Sequence, residues 1–206
     1  MLKHGIEIAN YKLELMYTKP ATDFNKELNR LYKENRFTVS EEVWASDKER
    51  IDLVIFLNGL AIIAFELKCN AAGQSYHDAI YQFRTERNPK TRLFRWKSGA
   101  LVSFAMDLEE VYMTTKLEGE STFFLPFNMG KGDGIDQGAG NPIFEDKYSV
   151  YYMWEDVLSK DTLLEIISKY MFIEVKEKKD PVTGKPKRKE TVIFPRYHQL
   201  DCVRII

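Results

Sequence analysis

The feature that most constrains the fold is a pair of apolar runs on either side of an Asn-Gly dipeptide. The runs cover residues 51–57 and 60–68, and Asn58-Gly59 lies between them. Asn-Gly between two apolar segments is the strongest short-range signal for a β-hairpin. Nearly every position of both runs is apolar, rather than every second one, which is typical of strands covered on both faces. The sequence therefore predicts a central pair of strands in a sheet that is buried on both sides.

Three charged residues lie at one end of this apolar hairpin. Asp52 opens the first strand, and Glu66 and Lys68 close the second. Positions i and i+2 of a strand share a face, so Glu66 and Lys68 are expected to point the same way. Buried charges are unfavourable unless they are paired or bind a metal. Two carboxylates can bind Mg²⁺, and a lysine ammonium can orient a water or offset phosphate charge. This interpretation makes Asp52 and Glu66 metal ligands and makes all three residues catalytic.

The length of the turn decides whether the two carboxylates can meet. A two-residue turn places Asp52 opposite Phe65, on the face away from Glu66. A three-residue turn, 57–59, makes Asp52 a diagonal neighbour of Glu66 on one face, within about 7–8 Å. A shared metal site therefore requires the longer turn, another bulge, or strands that diverge. The alternative is an ordinary buried ion pair between Glu66 and Lys68 or another neighbour, because D-x13-E-x-K is only a moderately specific pattern.

The spacing of apolar residues predicts the elements around the hairpin. Helices are expected at 21–35, 75–87 and 152–170, the last broken near 159–161, and strands at 37–44, 100–106, 111–117 and 123–127. A charged turn at 47–50 and a glycine-rich loop at 130–142 connect some of them. Residues 1–175 are expected to form one domain, and 176–191 a basic linker or hairpin. The sequence becomes apolar again at 192–206 and ends within a helix-like segment, from which we expect a longer natural chain.

Composition restricts the possible partners and the compartment. The formal net charge is −1, so any DNA binding requires clustered basic residues or a partner that holds the DNA. Cys69 and Cys202 are far apart, which argues against a zinc site or a disulfide framework and fits a reducing, cytoplasmic setting. Residues 1–17 contain no continuous apolar segment typical of a secretory signal, and no apolar run is long enough to span a membrane.

The charged hairpin resembles the PD-(D/E)xK nuclease superfamily, and longer stretches resemble one of its families. An ordered set of segments is similar to the amino-terminal region of HsdR, the motor and nuclease subunit of type I restriction enzymes. The set comprises IDLVIFLNGLAIIAFELK, GQSYHDAIYQFRTERNP, LFRW, VYMTTKL and FFLPFN. The final segment, FPRYHQLDCVRII, resembles the start of the helicase motor of that subunit. Together these stretches cover most of residues 24–206.

The resemblance implies a fold, an activity and partners. The fold would be a restriction-endonuclease-like α/β domain, a mixed β-sheet flanked by helices. Asp52, Glu66 and Lys68 would form the site for magnesium-dependent cleavage of double-stranded DNA. Modification and specificity subunits would locate the DNA site, and an ATP-driven motor in residues after 192 would translocate the DNA. No G-x-x-x-x-G-K-[ST] phosphate loop occurs in the sequence, so ATP would bind only to missing motor domains.

One motif departs from the pattern of many relatives, which carry Gln-x-x-x-Tyr on the helix after the lysine. Gln82 matches, but Glu86 stands where the tyrosine is expected. Gln82 is therefore an accessory candidate, while the role of the tyrosine has no counterpart here.

Other charged residues are weaker candidates. Glu27 could add a carboxylate to the site, and Arg84 or Arg87 could contact DNA phosphates, although charged helix faces are usually only solvated. The basic stretch 185–189 could follow DNA or form a solvated loop tip. Two alternative functions stay open: another nuclease of this superfamily, such as a repair nuclease, or a non-cleaving domain that docks DNA or subunits.

Overall fold

A computed structural model of the chain describes residues 2–131, 139–179 and 186–205. Ten strands are named in this part of the chain. They are β1 (Ile6–Ile8), β2 (Tyr11–Leu13), β3 (Phe37–Ser46), β4 (Glu49–Leu57), β5 (Leu60–Leu67), β6 (Val102–Met106), β7 (Val111–Thr114), β8 (Leu125–Pro126), β9 (Phe172–Lys179) and β10 (Pro186–Ile193). The α-helices are α1 (Lys26–Glu34), α2 (Tyr76–Thr85), α3 (Lys160–Glu165) and α4 (Tyr197–Ile205). A 3₁₀ turn covers Asn70–Ala72, and π-helical turns cover Met153–Val157 and Ile166–Tyr170, on either side of α3.

Six strands form one mixed sheet in the order β3-β4-β5-β6-β7-β8. β5 and β6 are parallel, and the other neighbouring pairs are antiparallel. A parallel connection requires a crossover, and α2 lies between β5 and β6 in the chain and supplies it. The mixed sheet flanked by helices confirms the predicted fold class. It also confirms that the hairpin is central, because β4 and β5 each have a strand on both sides.

Both faces of the sheet are covered, which explains the nearly continuous apolar runs of the hairpin. On one face, Val54, Ala64 and Ala105 of the sheet pack with Ala79 and Phe83 of α2. The opposite face contributes larger side chains, which pack with the helical segment 153–170 and with residues near the end of the chain. This second cluster includes Ile55, Ile63, Phe65, Phe104, Met153, Leu163, Ile167 and Leu200. The small residues Ala64, Ala79 and Ala105 let the helix approach β5, which carries Glu66 and ends just before Lys68.

Helix α2 begins at a well-defined N-cap, which fixes its position over the sheet. The Ser75 hydroxyl accepts from the first turn, and the Asp78 carboxylate accepts from the Ser75 backbone N–H at 2.8 Å, which is a capping box. The Asp107 carboxylate, at the end of β6, accepts from the Tyr76 backbone N–H at 2.9 Å. The helix start is therefore anchored to the end of a central strand.

Several element boundaries differ from the sequence expectations. α1 begins at Lys26 rather than near residue 21, because the Asn25 side chain caps it by accepting from the Leu28 N–H at 3.0 Å. The expected strands at 100–106, 111–117 and 123–127 are each shorter, and the expected helix at 75–87 ends at Thr85. The expected break near 159–161 is present, because Ser159 is the N-cap of α3.

The basic segment contains two paired strands. β9 and β10 form a separate antiparallel pair, in which Lys176 is opposite Lys189. Lys185, the first residue of the expected basic stretch, lies outside the described residues, as does most of the glycine-rich loop. The division into domains at 175 and 191 stays a prediction. Among the helices that the structure describes, none is both long enough and apolar enough to cross a membrane.

Candidate active site

A β-bulge in the central hairpin decides which face Asp52 occupies. The turn is the two-residue one, since Leu57 pairs with Leu60, and both Asn58 (φ 51°) and Gly59 (φ 81°) have the positive φ that such turns require. Phe56 then pairs with Ala61, but Ile55 pairs with Ile63, so Ile62 is an extra residue on β5. The three-residue turn considered from the sequence is therefore wrong.

The bulge shifts the register by one residue, and a shift of one residue exchanges the faces of a strand. Beyond it, Leu53 pairs with Phe65, and this register continued by one residue places Asp52 opposite Glu66. Opposite residues of an antiparallel pair share a face. Asp52 and Lys68 lie close enough to Glu66 to shift its pKa, and Lys68 contacts Gln82 of α2, so the three charged groups lie together at the side covered by α2.

Asp52 lies where β4 and β5 separate. The ladder between the two strands ends at Leu53 and Phe65, although β5 continues to Leu67. The Asp52 Oδ2 atom accepts a hydrogen bond from the Leu67 backbone N–H at 2.8 Å, in place of the next ladder bond. The carboxylate is half-buried. Within the described part of the chain, its second oxygen, Oδ1, has no hydrogen-bond donor.

Glu66 is fully buried, with 0% of its surface exposed. Its Oε1 atom accepts from the Arg87 Nε–H at 2.6 Å, and its Oε2 atom has no hydrogen-bond partner among the described residues. Burial raises the pKa of Glu66 to about 7, and the nearby Asp52 carboxylate adds to the rise, while Arg87 and Lys68 oppose it. A buried carboxylate oxygen without a donor is rare in native proteins and calls for a partner such as water or an ion, or for a functional role.

Arg87 is the component of this site that the sequence did not reveal. Its position on a charged helix predicts a phosphate contact or a solvated residue. In the structure only 5% of its side chain is exposed, and it forms an ion pair with Glu66. Glu86, the C-cap residue of α2, is exposed, whereas the next residue, Arg87, is buried. The sequence left open a buried ion pair between Glu66 and Lys68 or another neighbour. The structure contains such a pair, and its partner is Arg87. Arg87 follows the buried Ala79 and Phe83 of α2 at intervals of four residues, so helical spacing does point to its buried position.

Lys68 and Gln82 contact each other across the gap between β5 and α2. The Lys68 ammonium donates to the Gln82 Oε1 atom at 2.6 Å, and both side chains are partly exposed. The Lys68 backbone N–H donates to the Met106 carbonyl at 2.9 Å, which holds its Cα beside the end of β6. The accessory candidate Gln82 thus lies at the site, one helical turn before Glu86.

The remaining accessory candidates are occupied elsewhere. Glu27 is exposed on α1 and forms an ion pair with Arg30 at 2.8 Å. Arg84 donates from Nε to the Thr122 carbonyl at 3.0 Å, and its guanidinium lies 6.0 Å from the centre of the Phe124 ring. These contacts tie Arg84 to the loop before β8.

The carboxylates of Asp52 and Glu66 suit a metal ion that needs few protein ligands. Across residues 2–131, 139–179 and 186–205, no cluster of three or more His, Cys, Asp or Glu side chains could hold a metal ion. Asp52 and Glu66 supply two carboxylates, each with one oxygen engaged by the protein. Mg²⁺ is commonly bound by one or two carboxylates, with water and substrate phosphate completing its shell. The unpartnered Glu66 Oε2 is the atom that such an ion would fit.

A comparison with protein families identifies the chain. The model of the type I restriction enzyme R protein N terminus matches residues 6–122, which is more than half of the 206 residues. The chain belongs to this family. The match includes the whole hairpin, α2 and Arg87, and therefore every residue of the candidate site. A search of curated proteins found no match. β9, β10 and α4 lie outside the matched region of this R-subunit N-terminal domain.

Proposed function

We propose that the chain is the DNA-cleaving domain of a type I restriction enzyme R subunit, and that it hydrolyses phosphodiester bonds of double-stranded DNA with the help of Mg²⁺. The observation that carries this proposal is the fully buried Glu66, whose Oε2 has no hydrogen-bond partner among the described residues and which lies beside Asp52 and Lys68. Family membership supplies the context of a restriction enzyme.

Two residues would hold the ion. Glu66 would contribute Oε2 and Asp52 would contribute Oδ1, because their other oxygens accept from Arg87 and Leu67. When bound, Mg²⁺ lowers the pKa of a coordinated water and stabilises negative charge on the phosphate. The half-exposed Asp52 is the side from which a phosphate and water can approach, since Glu66 is enclosed.

Lys68 would act on the reacting groups directly. Its ammonium has three hydrogens, and the bond to Gln82 uses one of them. The others are free to donate to the attacking water or to a phosphate oxygen, where they would offset developing negative charge. Gln82 holds the flexible lysine chain in one position and is therefore a positioning residue rather than a catalytic one.

The near-neutral charge of the chain fits a domain that does not hold DNA alone. With a net charge of −1, it has little non-specific attraction for phosphates. We propose that modification and specificity subunits, together with an ATP-driven motor elsewhere in the R subunit, bring the DNA to this site. Cleavage would then follow translocation.

One observation favours a second candidate function, a non-cleaving domain that docks DNA or subunits. The Glu66–Arg87 contact has the geometry of a structural ion pair, and such pairs occur in proteins without any catalytic role. A purely structural pair gives no reason for the unpartnered Oε2 or for the Lys68–Gln82 contact beside it. We therefore rank this function second.

The test uses the R subunit assembled with its partner subunits. Glu66→Gln and Lys68→Met should each abolish DNA cleavage, while ATP hydrolysis and translocation continue at the level of the unmodified enzyme. Glu109→Gln, at an exposed carboxylate in the turn after β6, is the matched control and should cut normally. Cleavage that persists in both site variants would support the docking function and would show that the site is assigned wrongly.

A further inference from the structure

The hydrogen bond from Arg87 occupies one of the two Glu66 oxygens that could bind a metal. The Arg87 Nε–H lies 2.6 Å from Glu66 Oε1, and the two side chains are 5% and 0% exposed. A buried guanidinium at this distance makes a short, charge-assisted hydrogen bond that fixes the carboxylate plane. It also places a positive charge directly beside one of the two oxygens.

One oxygen of Asp52 is also occupied, in this case by a backbone N–H. Its Oδ2 accepts from the Leu67 N–H, so this oxygen faces the separating end of β5. Each carboxylate therefore has one oxygen engaged by the protein and one directed elsewhere, namely Asp52 Oδ1 and Glu66 Oε2. Two such oxygens can join in one coordination shell.

We propose that Arg87 is a positioning residue that occupies Glu66 Oε1 and thereby restricts the site to a single divalent cation. The inference rests on the proposed metal-dependent function and refines it. Two-metal sites hold their ions about 3.5–4 Å apart. A second ion on Glu66 would have to bind on the Oε1 side, within a few ångströms of the guanidinium, where two positive charges would meet in a buried environment.

Arg87 should also strengthen binding of the first ion. Groups that hydrogen-bond to metal ligands orient them, and their loss typically weakens metal binding by about 10–100-fold. Without the guanidinium, the Glu66 carboxylate is free to turn about its side-chain bonds. Its Oε1 atom would then also be open to a second cation.

The experiment measures Mn²⁺ binding to the 206-residue chain without DNA, by electron paramagnetic resonance titration and by anomalous diffraction from soaked crystals. The unmodified chain should bind one ion, held by Asp52 Oδ1 and Glu66 Oε2. Arg87→Met should bind the first Mn²⁺ about 10–100-fold more weakly, and it should admit a second ion on the Oε1 side of Glu66. Arg87→Lys should recover part of the affinity, because an ammonium can donate to Oε1. Arg92→Met, at an exposed arginine, is the control and should bind normally.

The outcomes separate the two proposals. Two ions in the unmodified chain, or an Arg87→Met variant that folds and binds Mn²⁺ as tightly as the unmodified chain, would overturn the role of Arg87 and leave the nuclease function standing. No Mn²⁺ near Glu66 in any variant would overturn the metal site itself, and the inference with it. Circular dichroism of each variant shows whether the fold is retained, and if Arg87→Met does not fold, the Arg87→Lys affinity and the ion count decide the question.

Discussion

The buried Glu66 carboxyl should make the stability of the domain depend on pH in an unusual direction. Its pKa is raised to about 7 in the folded chain, whereas an unperturbed glutamate has a pKa near 4.5. The folded state therefore binds this proton more tightly than the unfolded state does. Between pH 4.5 and about pH 7, ionisation of Glu66 lowers the free energy of unfolding as the pH rises. Above pH 7 the whole unfavourable effect is present. This direction is opposite to that of most carboxylates, which stabilise the fold as they ionise.

The size of the effect follows from the shift. A difference of one pKa unit corresponds to about 1.36 kcal/mol, so a rise from 4.5 to about 7 amounts to about 3 kcal/mol. This is a large fraction of the ordinary stability of a domain, which is about 5–15 kcal/mol. Other carboxylates contribute with the opposite sign, for example Asp161, whose pKa is lowered by Lys19 and Tyr32. Those contributions are common to the unmodified chain and a Glu66 variant, and they cancel in a comparison of the two.

The assay is urea unfolding of the unmodified chain and of Glu66→Gln in metal-free buffer, at intervals from pH 4.5 to 8.5. The difference in the free energy of unfolding between the two proteins should change by about 3 kcal/mol across this range, with the unmodified chain losing stability relative to the variant. Absolute values at one pH are not diagnostic, because the variant also removes the counter-charge of Arg87. Two parallel pH profiles would refute the conclusion that desolvation governs Glu66. Glu109→Gln should give a profile parallel to that of the unmodified chain.

Three further predictions concern the site and its supporting hairpin. Gln82→Ala should reduce DNA cleavage by the assembled enzyme without changing Mn²⁺ affinity, because Gln82 holds Lys68 and not a metal ligand; a matching loss of Mn²⁺ affinity would contradict this assignment. Glu27→Ala should leave cleavage unchanged, because Glu27 is exposed and paired with Arg30, and a loss of cleavage would restore it as a ligand. Gly59→Ala should lower the free energy of unfolding by about 1 kcal/mol in urea unfolding, because a φ of 81° is unfavourable for a residue with a Cβ atom; an unchanged midpoint would contradict this.

The sequence was sufficient for the elements that have a periodic or a turn signal. The Asn58-Gly59 turn and the continuous apolar runs gave the central hairpin, and the apolar spacing of residues 75–87 gave α2. Membership of the family was expected from ordered motifs and is shown by the match to residues 6–122.

The bulge could be named only as one of several possibilities, for a physical reason. Register is normally visible in a strand because one face is apolar and the other polar. β4 and β5 are buried on both faces, so an extra Ile62 in an apolar run leaves no trace in the pattern. Arg87 was missed for a different reason. It follows the buried Ala79 and Phe83 at intervals of four residues, but a charged residue at such a position is rarely buried unless it is paired.

The bulge at Ile62 has a consequence for how this region can vary. Thirteen residues separate Asp52 from Glu66, and their number, rather than the identity of each side chain, determines that the two carboxylates share a side. Many exchanges of one apolar residue for another should therefore be compatible with a working site. Removal of a single residue at the bulge would restore a regular ladder and turn Asp52 toward the opposite layer of the protein. The hairpin is thus tolerant of changes in composition and intolerant of changes in length.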